Sequence, residues 1–158
     1  MNRLTRVTIF VVIVLAATGV LLAQSNDPRL GTWSLDVAKS KYTPGPPPAK
    51  ELRTYSLVGH NLSVNVESTD AHGNRVVLNY VATEDGKDNA LSGLAAGNGI
   101  SMHRIDARTF EADTKKDGKV IGTTMGEVSQ DGKTLTLTFK TTTPNGQPVT
   151  NIAIYEKQ

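Results

Sequence analysis

Between Thr109 and Glu156 the chain uses one device three times: a β-favouring run, an Asp-Gly or Asn-Gly pair, and another such run. The pairs are Asp117-Gly118, Asp131-Gly132 and Asn145-Gly146, spaced 14 residues apart. Both central residues of a type I′ turn need positive φ, which makes these pairs the strongest short-range hairpin signal. The flanking runs are Phe110 to Lys115, Val120 to Ser129, Thr134 to Phe139 and Val149 to Glu156. Such a stretch is confined to an antiparallel meander, in which neighbours in sequence are neighbours in space.

The same reading extends upstream. Gly31 to Asp36 reads as a first strand with Trp33 and Leu35 on one face. Val37 to Tyr42 is polar and Lys-rich, and reads as one helical turn or a plug-like loop. Thr43-Pro44-Gly45-Pro46-Pro47-Pro48 reads as a stiff strap over one end of the fold, with a Pro-rich docking site as the alternative. Lys50 to Val58 is a strand, and after Gly59-His60-Asn61 the residues Leu62, Val64 and Val66 alternate with Ser63, Asn65 and Glu67. Arg75 to Glu84 puts Val76, Leu78, Tyr80 and Ala82 on one face; Asp85-Gly86-Lys87 reads as a turn and residues 88–99 as a Gly-rich loop. With Ile100 to Ile105, nine strands and no helix are predicted. The fold class is all-β: an antiparallel up-and-down meander closed into a barrel of about 8–10 strands, since closure removes exposed edges. A sandwich or an open half-barrel is the alternative.

Residues 1–23 stand apart from the fold. Arg3 and Arg6 precede the apolar Ile9 to Leu22, and small Ala23 sits at the natural cleavage position, the pattern of a signal peptide. An uncleaved anchor is the rival reading, but the apolar run is shorter than the roughly 18–20 residues of a spanning helix. Residues 24–30 then form a short tether, and residues 31–158 a single barrel domain. The chain is expected to be exported, periplasmic or secreted, with no stable membrane span after cleavage. Losing Arg3 and Arg6 takes Lys+Arg from 17 to 15, against 15 Asp+Glu. With near-zero net charge and no basic cluster, no nucleic-acid partner is expected. Zero Cys removes disulfides, thiol catalysis and thiolate metal sites.

Gly31-Thr32-Trp33 at the head of such a meander resembles the lipocalin and fatty-acid-binding group of barrels, whose first strand opens with Gly-x-Trp. The chain is similar to the small exported bacterial proteins called lipocalin-like, of the calycin type. The resemblance implies an interior that holds one small, often apolar molecule, with Gly31 and Trp33 as structural residues of the barrel end. It also implies an Arg near the last strand against the Trp. After Asn151 this chain offers only Lys157.

Alternation makes Tyr55, Leu57, Val64, Leu78, Tyr80, Met102, Phe110, Leu137 and Phe139 the inward-facing set. Arg53 and Tyr55 share a face, and fatty-acid binders resemble this in holding a carboxylate with an inward Arg-x-Tyr pair. Arg104, in step with Ile100 and Met102, is a second candidate cation. An inward guanidinium is informative because a buried unpaired charge costs several kcal/mol; the alternative is that both arginines face solvent. The candidate ligand-binding residues are Arg53, Tyr55, Tyr80, Met102, Arg104, Phe110 and Phe139. His60 and His72 flank one strand, roughly 40 Å apart at about 3.3 Å per residue, so one metal cannot bind both. No His-Glu-x-x-His, phosphate loop or Gly-x-Ser-x-Gly elbow occurs. No catalytic residue, metal ligand or cofactor is expected. The expected function is a monomeric, non-enzymatic binder of a small apolar or carboxylate ligand. An envelope-associated structural or protein-interaction module with a filled core is the alternative.

Overall fold

The structure is a computed structural model and describes residues 26–158. The signal segment read at residues 1–23, with Gln24 and Ser25, lies outside the described residues. Ten strands follow one another: β1 (Gly31–Lys41), β2 (Lys50–Val58), β3 (Asn61–Thr69), β4 (Arg75–Ala82), β5 (Asp85–Ser92), β6 (Gly99–Arg104), β7 (Thr109–Lys116), β8 (Lys119–Val128), β9 (Thr134–Thr142) and β10 (Pro148–Lys157). Each pairs antiparallel with its neighbour in sequence, and β10 returns to β1, so the sheet closes into a barrel. Trp33 pairs with Lys157 and Leu35 with Tyr155 across that closing seam.

Two stretches differ from the sequence expectation. The Lys-rich segment after Asp36 is neither helix nor plug but the continuation of β1 through a bulge. There the Ser40 hydroxyl donates to the Asp36 carbonyl at 2.7 Å and accepts from the Ile154 amide at 2.9 Å, replacing ladder bonds lost to the register shift. Residues 88–92, read as loop, belong to β5. Asp85-Gly86-Lys87 is the irregular start of that strand rather than a turn, with the register shift falling between Asp85 and Asp88. Pairing with β6 overrides the low strand preference of Asp88, Asn89 and Ala90. Towards β4 the strand makes only two residue pairs, Asn79 with Ser92 and Tyr80 with Leu91.

The turns are of two kinds. Only Asp117-Gly118 has positive φ at both residues, 49° and 79°. At Asp131-Gly132 and Asn145-Gly146 the glycine alone is left-handed. Each of these two loops instead opens on a residue that caps it. The Ser129 hydroxyl accepts from the Thr134 amide at 3.0 Å, and the Thr143 hydroxyl from the Gln147 amide at 3.0 Å. Asp70 does the same for the Asn74 amide at 2.8 Å.

The antiparallel order puts the 42–49 strap and the loops 70–74, 93–98, 117–118 and 143–147 at one end, the mouth. The opposite end, the base, carries the remaining turns and residues 26–30. Inward side chains form one apolar cluster from Trp33 at the base to Leu78 and Phe139 nearer the mouth.

Candidate functional site

Inside the barrel lies a cavity of about 330 Å³. Most of its wall is apolar, and one corner is charged. That corner is built by β2, where Glu51, Arg53 and Tyr55 follow at every second position and so point inward together. Arg53 Nε donates to Glu51 Oε1 at 2.7 Å and to the Tyr155 hydroxyl at 3.0 Å. Tyr155 in turn donates to Glu51 Oε1 at 2.6 Å. The guanidinium lies over the rings of Tyr155 and Phe139, 5.4 and 5.7 Å from their centroids. A desolvated cation is thus compensated by a carboxylate, a phenol and two aromatic faces. Burial works against its charge, but Tyr155 and Glu51 more than offset this, so Arg53 stays a cation.

This corner keeps hydrogen-bonding capacity in hand: Arg53 has the Tyr55 hydroxyl beside it as well as Tyr155, while Oε2 of Glu51 and the hydroxyl of Tyr80 make no hydrogen bond to any described residue. Glu51, Arg53, Tyr55 and Tyr80 all line the cavity. Burial pushes the Tyr55 hydroxyl pKa upward, with the Arg53 charge pulling the other way. Tyr80 is raised chiefly by burial, with Tyr55 adding to it. Both therefore remain neutral donors at physiological pH. Donors and an acceptor aimed into an apolar space are the equipment for orienting a bound molecule.

The structure brings together Arg53, Tyr55, Tyr80, Phe110 and Phe139 on the cavity wall, along with Leu78 and Leu137. Met102 and Arg104 are not part of that wall. Met102 is fully buried in the core. Arg104 is on the inner side of β6, as alternation implies, but at the base, where its partner is Asp27 at 2.7 Å. Leu57 is also corrected: it is 41% exposed, because β2 by then runs past the barrel end into the Gly59 turn. Glu51 and Tyr155 are the site residues the sequence reading missed. The signal for Glu51 was present in its step with Arg53 and Tyr55.

The base is sealed by charge. Arg29, within the stretch read as a tether, is 1% exposed and forms ion pairs with Glu84 and, at 2.5 Å, with Asp27. Burial alone would raise the Asp27 carboxyl, but the hydrogen bonds and charge of Arg29, with Arg104, bring it below its ordinary value. The Arg29 carbonyl accepts from Trp33 Nε1 at 2.8 Å. Lys157 Nζ sits 4.9 Å from the Trp33 ring centroid and donates to the Pro28 carbonyl. Lys157 thereby takes the place of the arginine the family resemblance implied. Gly31, at φ 120°, lets the Lys157 stem pass, since a Cβ there would lie 3.1 Å from Lys157 Cε.

No family model matches the chain, and no curated protein matches it in sequence. Among solved structures, the barrel is similar to the zebrafish ileal bile acid-binding protein complexed with cholic acid. The TM-score is 0.56 at 12% identity, covering 83% of this chain and 99% of that one. The siderocalin Ex-FABP, described as functioning through dual ligand specificities, is matched with a TM-score of 0.34 at 12% identity, over 83% and 74% of the two chains. With the closed ten-strand ring, the first likeness shows the fold: an all-β antiparallel meander closed into a calycin-type barrel.

Proposed function

We propose that this protein is an exported, non-catalytic barrel that holds a small, largely apolar molecule in its interior, acting as a monomer. The observation that carries the reading is the cavity of about 330 Å³ with a single polar corner at Arg53. Its size falls at the lower end of small-molecule sites, roughly 300–1,000 Å³, and apolar walls with few convergent polar groups are their usual make-up. A filled-core interaction module would have no use for such a space. Arg53, Tyr55 and Tyr80 orient the polar end of the ligand; Phe110 and Phe139 contact its apolar body. The zebrafish protein of like fold was solved with cholic acid. Export rests on Arg3, Arg6, the apolar run Ile9 to Leu22 and Ala23.

The test is to examine the purified protein by native mass spectrometry for retained small molecules, then titrate it with the uncharged dye Nile red. Saturable uptake is expected, and Ala112→Phe, which fills the cavity from β7, should abolish it while the barrel stays folded by circular dichroism. The absence of both a retained mass and saturable uptake would remove the binding function.

A further inference from the structure

The polar corner is charge-balanced before any ligand enters. Arg53 and Glu51 pair at 2.7 Å, with side chains only 13% and 9% exposed. The pair uses one nitrogen of the guanidinium and one oxygen of the carboxylate; Nη1 and Nη2 bond neither Glu51 nor Tyr155 and have the Tyr55 hydroxyl beside them, and Oε2 has no partner among the described residues. We infer that the cavity selects an uncharged head group presenting an acceptor and a donor side by side, of the primary carboxamide class, on an apolar body. This rests on the ligand-binding reading above.

The chemistry follows from what each head group would leave unpaired. A carboxamide oxygen accepts from the Arg53 Nη groups, and its N–H donates to Glu51 Oε2. The Tyr55 and Tyr80 hydroxyls, each donor and acceptor, take up the remaining valences. A carboxylate satisfies Arg53 equally well but brings a second anion beside Glu51, leaving net negative charge in a poorly solvated space. An ammonium meets the reverse problem at Arg53. An ester offers an acceptor and no donor, so Glu51 Oε2 loses solvent and gains nothing. An Arg-x-Tyr pair without a carboxylate two residues upstream would favour an acid. Glu51 is what turns the preference, by repulsion against the anion as much as by attraction to the amide.

The experiment compares lauramide, lauric acid and methyl laurate, which share one chain, as competitors for Nile red on the purified wild-type protein at neutral pH. Lauramide should displace the dye at a concentration at least about tenfold lower than lauric acid, and methyl laurate should fall below lauramide. In Glu51→Gln, whose folding is checked by its melting curve, lauric acid should gain about tenfold and overtake the ester. Lauric acid binding as tightly as lauramide in the wild type would overturn the inference and leave the binding function standing. So would dye uptake that none of the three competes with. Absence of dye uptake would take both away. The wild-type comparison decides the matter without depending on how well the variant folds.

Discussion

Trp33 joins the fold's first strand to its base. It is fully buried, its indole N–H is satisfied by Arg29, and its ring face meets Lys157. Trp33→Ala should therefore cost about 3–5 kcal/mol in urea unfolding, the range for emptying a large aromatic site. Gly126 makes a subtler residue-scale case. A Cβ there would sit 2.2 Å from the Phe110 ring, so Gly126→Ala must push Phe110 toward the cavity. The expected cost is about 1–3 kcal/mol, with a parallel loss of Nile red capacity; unchanged uptake would mean Phe110 moves elsewhere. At this scale the sequence was readable where a residue has one common reason to be present. Gly31 and Trp33 could be placed from the Gly-x-Trp resemblance at the head of the first strand. Glu51 shares the step of Arg53 and Tyr55, but a carboxylate at a strand start is by default solvated, and its bond to Tyr155, two strands away on β10, is what shows that it turns inward. Arg104 shows the converse limit: alternation gave its side correctly, but not that its end of the barrel is occupied by Asp27.

Elements were legible where the information is local. Hairpins form between sequence neighbours, so alternation and turn residues sufficed to order the strands and to expect closure. What escaped was whatever depends on a partner. The β1 extension exists because Ser40 repairs the ladder to β10, and β5 exists because β6 pairs with it. That strand is also where the wall is weakest, since the β4–β5 ladder holds two residue pairs against nine between β9 and β10. Amide hydrogen exchange should find the β5 protons facing β4 exchanging well ahead of those in the β9–β10 ladder. Uniform protection around the ring would contradict a short seam there.

At the scale of the whole molecule, polarity runs from an apolar inside to a hydroxyl- and charge-rich outside, as in Thr134, Thr136 and Thr138 against Leu135 and Leu137. This is the reverse of a membrane-spanning barrel. The buried polar groups at the two levels of the interior give the protein a definite pH profile. Asp27 has its folded pKa below the ordinary 3.8, so between those values the unfolded chain binds the extra proton. Stability from the base cluster is thus complete above that window and is lost as pH falls through the folded pKa; Asp27→Asn should flatten this acid limb. The tyrosines act at the other end. Tyr42, Tyr55, Tyr80 and Tyr155 all have folded values above the ordinary 10.0, chiefly through burial, Tyr42 at about 12. Their contribution is complete below pH 10 and is lost as pH rises, because the unfolded chain ionises first. Each such group adds a slope of up to about 1.4 kcal/mol per pH unit once the pH passes its unfolded value. Urea unfolding measured from about pH 8 to about pH 11 should show that fall, and Tyr155→Phe should reduce its slope by one group's share. A flat alkaline limb would mean the phenols ionise as readily folded as unfolded, and the polar corner around Arg53 would then have to be open to water.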